Sequence, residues 1–118
     1  MSRRVLVAVP DLFFVTRIRA LAGQLGVTLE ECAPAAIPGR CADSPPDLLI
    51  LDLHAPGDPL AQVRALKADE RTRAVTVVGF YSHVDAETRR LALEAGVDRV
   101  MPRSAFTAKL HEILAGGS

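Results

Sequence analysis

Residues 47–58 read DLLILDLHAPGD, and this stretch decides the fold. Leu48, Leu49, Ile50 and Leu51 form an unbroken aliphatic run. Such a run fills both faces of a strand, as in a parallel sheet covered on both sides, whereas a strand with one wet face would alternate apolar and polar residues. Asp52 then falls where the strand ends and the chain turns. In open α/β sheets ligands bind outside the carboxyl ends of the strands, so an acid at that edge is a site candidate.

Working outward, VLVAV (5–9) is a short β-branched run closed by Pro10. In the following DLFFVTRIRALAGQLG, Phe14, Ile18, Leu21 and Leu25 recur at helical spacing, and Gly26 supplies the stop. VTLEECA (27–33) reads as a weaker strand. The connection PAAIPGRCADSPP (34–46) has four prolines and a glycine, which exclude a full-length helix. Beyond the turn, Asp58 as N-cap and Pro59 as first helical residue open a helix carrying Leu60, Val63 and Leu66.

AVTVVGFY (74–81) is a second buried strand. Asp85 opens a helix with Glu87 in its first turn and Leu91, Leu93 and Ala95 before Gly96. VDRVMP (97–102) reads as a fifth strand. A last helix over Ser104 to Ala115 turns Phe106, Leu110, Ile113 and Leu114 inward. Strands and helices alternate without a hairpin signal, so we expect one domain over residues 1–118, a parallel sheet with helices on both faces. The carboxyl ends at Asp11, Asp52, Tyr81 and Arg103 gather at one edge.

The totals narrow the function classes. Fourteen basic and fourteen acidic residues cancel, so no global basic field draws the chain to nucleic acid. No run reaches the roughly 20 apolar residues of a membrane helix, and the opening MSRRVLVAVPD breaks at Pro10 before it can form a signal-peptide core. We expect a soluble, cytoplasmic protein with no membrane or direct nucleic-acid partner. Cys32 and Cys41, nine positions apart with no His or Cys at metal spacing, read as free thiols.

PDLLILDLHAPG and LALEAGVDRVM, with KADERTRAVTVV between them, resemble the receiver domain of two-component response regulators over essentially the whole chain. The resemblance implies the flavodoxin-like (CheY-like) fold: a five-stranded parallel sheet of order 2-1-3-4-5, here with a short or irregular second helix. It implies that Asp52 is the phosphoacceptor. It also implies a Mg²⁺ site made by Asp11, Asp52 and the backbone carbonyl of His54, a donor set of the oxygen type that a hard cation takes.

This sequence departs from the family pattern at its working positions. The first of the usual two acids after the opening strand is Pro10, so one metal contact is lost. The hydroxyl residue that ends the fourth strand corresponds to Tyr81. Ser82 could replace it only if the strand ends or bulges there, since successive side chains alternate. The lysine after the fifth strand corresponds to Arg103, planar and larger, which could pair with Asp52 or Asp11. Ser104 replaces the proline that follows, and Val100 stands where an aromatic residue often rotates on activation. Asp11 doubles as a helix N-cap. His54 and His83 read as solvated loop histidines, and one of Phe13 and Phe14 belongs to the core.

The leading expectation is an atypical stand-alone receiver with a degenerate site, acting mainly through contacts with a sensor kinase or another signalling protein. By analogy, the fourth helix, fifth strand and fifth helix form its docking face, and a homodimer is compatible. A phosphorylation-independent adaptor, its site held shut by Arg103 and Tyr81, is the first alternative. A small phosphotransferase with Asp52 as nucleophile is the second. It lacks the second acid two residues on, because His54 stands there, and the chain has no Gly-rich phosphate loop.

Overall fold

In the computed structural model, residues 3–82 and 85–116 are described. Five strands, β1 (Arg4–Ala8), β2 (Thr28–Glu31), β3 (Leu48–Asp52), β4 (Thr76–Tyr81) and β5 (Arg99–Pro102), form one sheet in the order β2-β1-β3-β4-β5. Every neighbouring pair is parallel. Among the described residues the helices are α1 (Leu12–Leu25), α2 (Ile37–Asp43), α3 (Pro59–Ala68), α4 (Ala86–Ala95), α5 (Arg103–Ala108) and α6 (Leu110–Ala115).

The aliphatic run of β3 shows why both faces are covered. Leu48 and Ile50 pack with α1, α5 and α6 residues such as Phe14, Ile18, Phe106 and Ile113. Leu49 and Leu51 pack on the other side with Ile37, Val63, Leu66 and Ala92 of α2, α3 and α4. The first helix of a parallel pair thus lies on one face and the next three on the other. β1 and β3 are neighbours from which the chain departs in opposite directions, which makes their carboxyl ends the switch point where such sheets hold ligands.

Helix ends follow the sequence closely. Asp11, Asp58 and Asp85 cap α1, α3 and α4 by accepting backbone N–H bonds, from Phe14, Ala61 and from Glu87 and Thr88 respectively. Gly26 (φ 70°) and Gly96 (φ 107°) take the left-handed conformation that ends α1 and α4. This explains why β2 and β5 begin later than the sequence pattern suggests. The Val27 and Val97 N–H groups donate back to the Ala22 and Ala92 carbonyls at 2.9 and 3.0 Å, so both valines complete helix caps before the strands start.

The proline-rich connection holds a 3₁₀ turn at Pro34–Ala36 followed by the seven residues of α2. Pro34 and Pro38 stand in first turns, where the missing N–H is not needed. Both cysteines are free. Burial pushes the Cys41 thiol up to about 11.

Two expectations are corrected. The last helix is two: at Lys109 (φ −104°, ψ 7°) the helix tightens, its N–H shared between the Ala105 and Phe106 carbonyls at 3.1 and 3.2 Å. The break keeps Phe106 of α5 and Leu110, Ile113 and Leu114 of α6 all on the sheet. In α4 the buried residues are Ala92 and Ala95, three apart, while Leu91 and Leu93 are 38% and 47% exposed. Ala92 and Ala95 are the α4 residues that join the core layer of Leu49, Leu51 and Val97.

Candidate functional site at the carboxyl edge of the sheet

Three turns converge at the switch point. After β1, Val9 and exposed Pro10 lead to Asp11 at the head of α1. After β3, Asp52 leads through His54 and Ala55 into the turn before α3. After β5, Pro102 leads directly to Arg103, the first residue of α5.

Asp52, half-buried, accepts the His54 N–H at 2.9 Å through Oδ1, and its carbonyl accepts the Ala55 N–H at 3.1 Å. This is an aspartate closing its own turn. No other hydrogen bond or ion pair to its carboxylate occurs among the described residues. His54 itself is exposed. His83 lies outside the described residues.

Asp11 is fully engaged. Its Oδ1 accepts the Phe14 N–H at 3.1 Å, and its Oδ2 accepts from Arg103 Nη2 at 2.8 Å. The guanidinium, first, and then the capped N–H hold its carboxyl below the usual carboxylate range. Of the two pairings open to Arg103, the structure therefore forms the one with Asp11, through one nitrogen, and no hydrogen bond or ion pair with Asp52.

Arg103 is held from below as well. Its guanidinium carbon stands 4.0 Å from the centroid of the Phe14 ring, a cation–π distance. Phe14 meets Phe80 edge-on at 5.4 Å and 86°, and Phe106 at 5.8 Å and 72°, while Phe80 and Phe106 stack at 4.9 Å. The cation at the site is thus seated on the aromatic centre of one core layer. Helical spacing marked Phe14 for the core; its contact with Arg103 joins residues far apart in sequence and had no local signal.

β4 ends at Tyr81, so Ser82 lies past the strand and is exposed. Tyr81 is 8% exposed and packs in the layer of Leu51, Leu53 and Val100. Its hydroxyl has no hydrogen-bond partner among the described residues. Val100 is buried at 9%, and its carbonyl accepts from Arg89 Nη1 of α4 at 3.2 Å. Arg89 is therefore a tie between α4 and β5, whereas Arg90 pairs with Glu87 and Glu94 on the exposed face. The peptide preceding Ser104 is trans, as are all described peptides.

An apolar cleft of about 210 Å³ opens beside these residues, lined by Val9, Pro10, Cys32, Pro34, Ala55 and Pro56 among others. The sequence reading missed it, although prolines at 10, 34 and 56, each next to an element end, were the available signal. Phe13 and Leu12, at the start of α1, are 88% and 74% exposed. Phe14 is the core member of its pair.

Solved structures share this architecture over nearly its full length. A response regulator from Hahella chejuensis is 20% identical, with 97% of this chain and 93% of that chain covered and a TM-score of 0.85. The chemotaxis response regulator CheY4 of Vibrio cholerae is 13% identical, with 97% of both chains covered and a TM-score of 0.83. The fold is that of response-regulator receiver domains. The receiver domain of the sensor histidine kinase PA1611 from Pseudomonas aeruginosa, solved with a magnesium ion in its active-site cleft, is 19% identical, with 99% of this chain and all of that chain covered and a TM-score of 0.80. No family model and no curated protein sequence matches the chain.

The receiver fold implies Mg²⁺ at this edge, and the residues can be tested against it. A divalent oxygen site needs carboxylate oxygens turned to the ion. Here both oxygens of Asp11 are already bonded, Pro10 supplies no carboxylate, and no group of three or more His, Cys, Asp or Glu side chains able to hold a metal occurs among the described residues. Among the described residues this leaves Asp52 and the His54 carbonyl, so the site as folded presents fewer free protein donors than the receiver pattern supplies, and water would have to complete the shell of a bound ion. Among the described residues no helix is long and apolar enough to cross a membrane.

Proposed function

We propose that this chain is an atypical receiver-type signalling module, with Asp52 at the phosphoacceptor position and a degenerate site. It works mainly through protein–protein contacts with a sensor kinase or another signalling protein, and it is not a turnover enzyme. The single observation that carries this reading is the contrast between the two aspartates. Asp52 keeps the acceptor's place at the end of β3, tied among the described residues only to its own turn, while Asp11, which would hold the metal, is neutralised by Arg103.

Electrostatic positioning supplies most of the catalysis of phosphoryl transfer. With Pro10 in place of an acid and Arg103 occupied by Asp11, that assistance is weak here, and Mg²⁺ is at most a weak ligand. The same ion pair favours the phosphorylation-independent adaptor as the second reading. The partner surface follows the receiver fold: α4, β5 and the last two helices, where Leu91 and Leu93 are exposed. This surface would also serve a homodimer. A cytoplasmic location accords with this role.

The test is a Mg²⁺ titration with and without beryllofluoride, read by amide NMR. We expect little response at millimolar metal. Saturable shifts centred on Asp11, Asp52 and His54 that spread to α5 and α6 would show a fully working phospho-switch and overturn the degenerate-site reading.

A further inference from the structure

We infer that Arg103 is the resident cation of this site and closes the divalent-metal seat by direct competition for Asp11. The inference rests on the reading of Asp52 and Asp11 as an acceptor-derived pair, and it concerns what regulates that pair.

Three observations join. Arg103 Nη2 lies 2.8 Å from Asp11 Oδ2, the oxygen left over once Oδ1 has capped α1. The guanidinium's seat on Phe14, at 4.0 Å, fixes the planar group from a second direction. That ring belongs to a trio in which Phe14, Phe80 and Phe106 are each at most 2% exposed. A lone surface arginine would lose rotamer freedom on pairing; one held by a carboxylate above and a buried ring below has two anchors and is better ordered.

The consequence is electrostatic. A divalent ion approaching Asp11 and Asp52 meets a fixed positive charge on the first and must displace it. Removing that charge frees one carboxylate oxygen and abolishes the repulsion, leaving Asp11, Asp52 and the His54 carbonyl as oxygen donors.

The experiment measures Mn²⁺ binding, by the loss of the free-ion electron paramagnetic signal, in the full chain and in Arg103→Gln. Arg103→Met, which keeps an apolar stem against Phe14, serves as a second variant. Amide spectra check that each is folded. Relief of both repulsion and pairing is expected to tighten Mn²⁺ binding about tenfold. Adding Asp11→Asn to Arg103→Gln should remove the gain. Arg17→Gln, which deletes an equal charge on the exposed face of α1, should change binding less than about twofold.

Equal affinity in the native chain and both Arg103 variants, binding or not, would overturn the inference. So would a gain in Arg17→Gln as large as that in Arg103→Gln, which would show a general field and no local competition. Because beryllofluoride plays no part in these measurements, their failure is separate from failure of the signalling reading.

Discussion

Replacing Phe14 by leucine tests whether the aromatic trio supports the site's cation. The substitution keeps an apolar, helix-compatible side chain but removes the ring that meets Phe80 at 5.4 Å and 86° and Phe106 at 5.8 Å and 72°. Each edge-on pair contributes about 0.5–1.5 kcal/mol beyond its buried area, so together they amount to about 1–3 kcal/mol. The smaller side chain leaves some space, and the Arg103 contact at 4.0 Å adds about 0.5–1 kcal/mol at a partly exposed position. Leucine recovers part of this through its own packing, so we expect a net loss of about 2 kcal/mol. Urea unfolding followed by far-ultraviolet circular dichroism measures it. With a slope near ~2 kcal/mol/M, as small domains show, the midpoint falls by about 1 M. Phe13→Leu is the internal control: its side chain is 88% exposed, and its change should stay within about 0.5 kcal/mol. A loss below about 0.5 kcal/mol for Phe14→Leu, or an equal loss at Phe13, would refute the trio as a support.

Two further outcomes are expected. A Cβ at Gly79 would stand 2.7 Å from Leu53 Cδ2 and 3.3 Å from Val97 Cγ1; Gly79→Ala should therefore cost about 1–3 kcal/mol by overpacking and shift the amides of Leu53 and its neighbour Asp52, and an unchanged urea midpoint would contradict the packing. Asp69 is held down to about 2, from an ordinary 3.8, chiefly by its hydrogen bond with Arg71. Its folded carboxyl is the stronger acid, so its contribution is whole above 3.8 and is lost as pH falls through about 2. A ¹³C titration of its carboxyl should show a midpoint near 2, and one near 3.8 would contradict the pairing.

The sequence yielded the sheet because its strands carry redundant information. Leu48 to Leu51 are apolar on both faces, and Asp11, Asp58 and Asp85 each announce a helix start by chemistry confined to a few neighbouring residues. What it hid was set by tertiary packing. The spacing of Leu91 and Leu93 gives no clue that Ala92 and Ala95 are the buried pair, because that choice depends on how closely α4 approaches the sheet. The break at Lys109 has no proline or glycine to mark it. At the site, the positions of Asp11, Asp52, Tyr81 and Arg103 could be read from strand ends. Which carboxylate Arg103 would choose could not, since the choice depends on the stacking of its guanidinium over Phe14, 89 positions away in the chain as the numbers of the two residues give it.

The substitutions at the carboxyl edge make sense together. Asp11 and Asp52 bring two negative charges to neighbouring strand ends, and Pro10 adds none. With one acid fewer than the receiver pattern carries, a single internal cation is enough to leave the cluster at a net charge of −1, whereas a divalent ion would be needed to balance three acids and a lysine. Arg103 supplies that cation, and its pairing with Asp11 also completes the neutralisation of the group that caps α1. Among the described residues Asp52 is left as the acid with no ion pair, bonded through one oxygen to its own turn. A site left with one net negative charge draws a divalent ion less strongly than one left with two. The same edge of the sheet carries the half-buried Asp52 after β3 and the exposed Pro10, Leu12 and Phe13 after β1. The charge left at this edge is thus a single carboxylate, less than the receiver pattern offers a divalent ion.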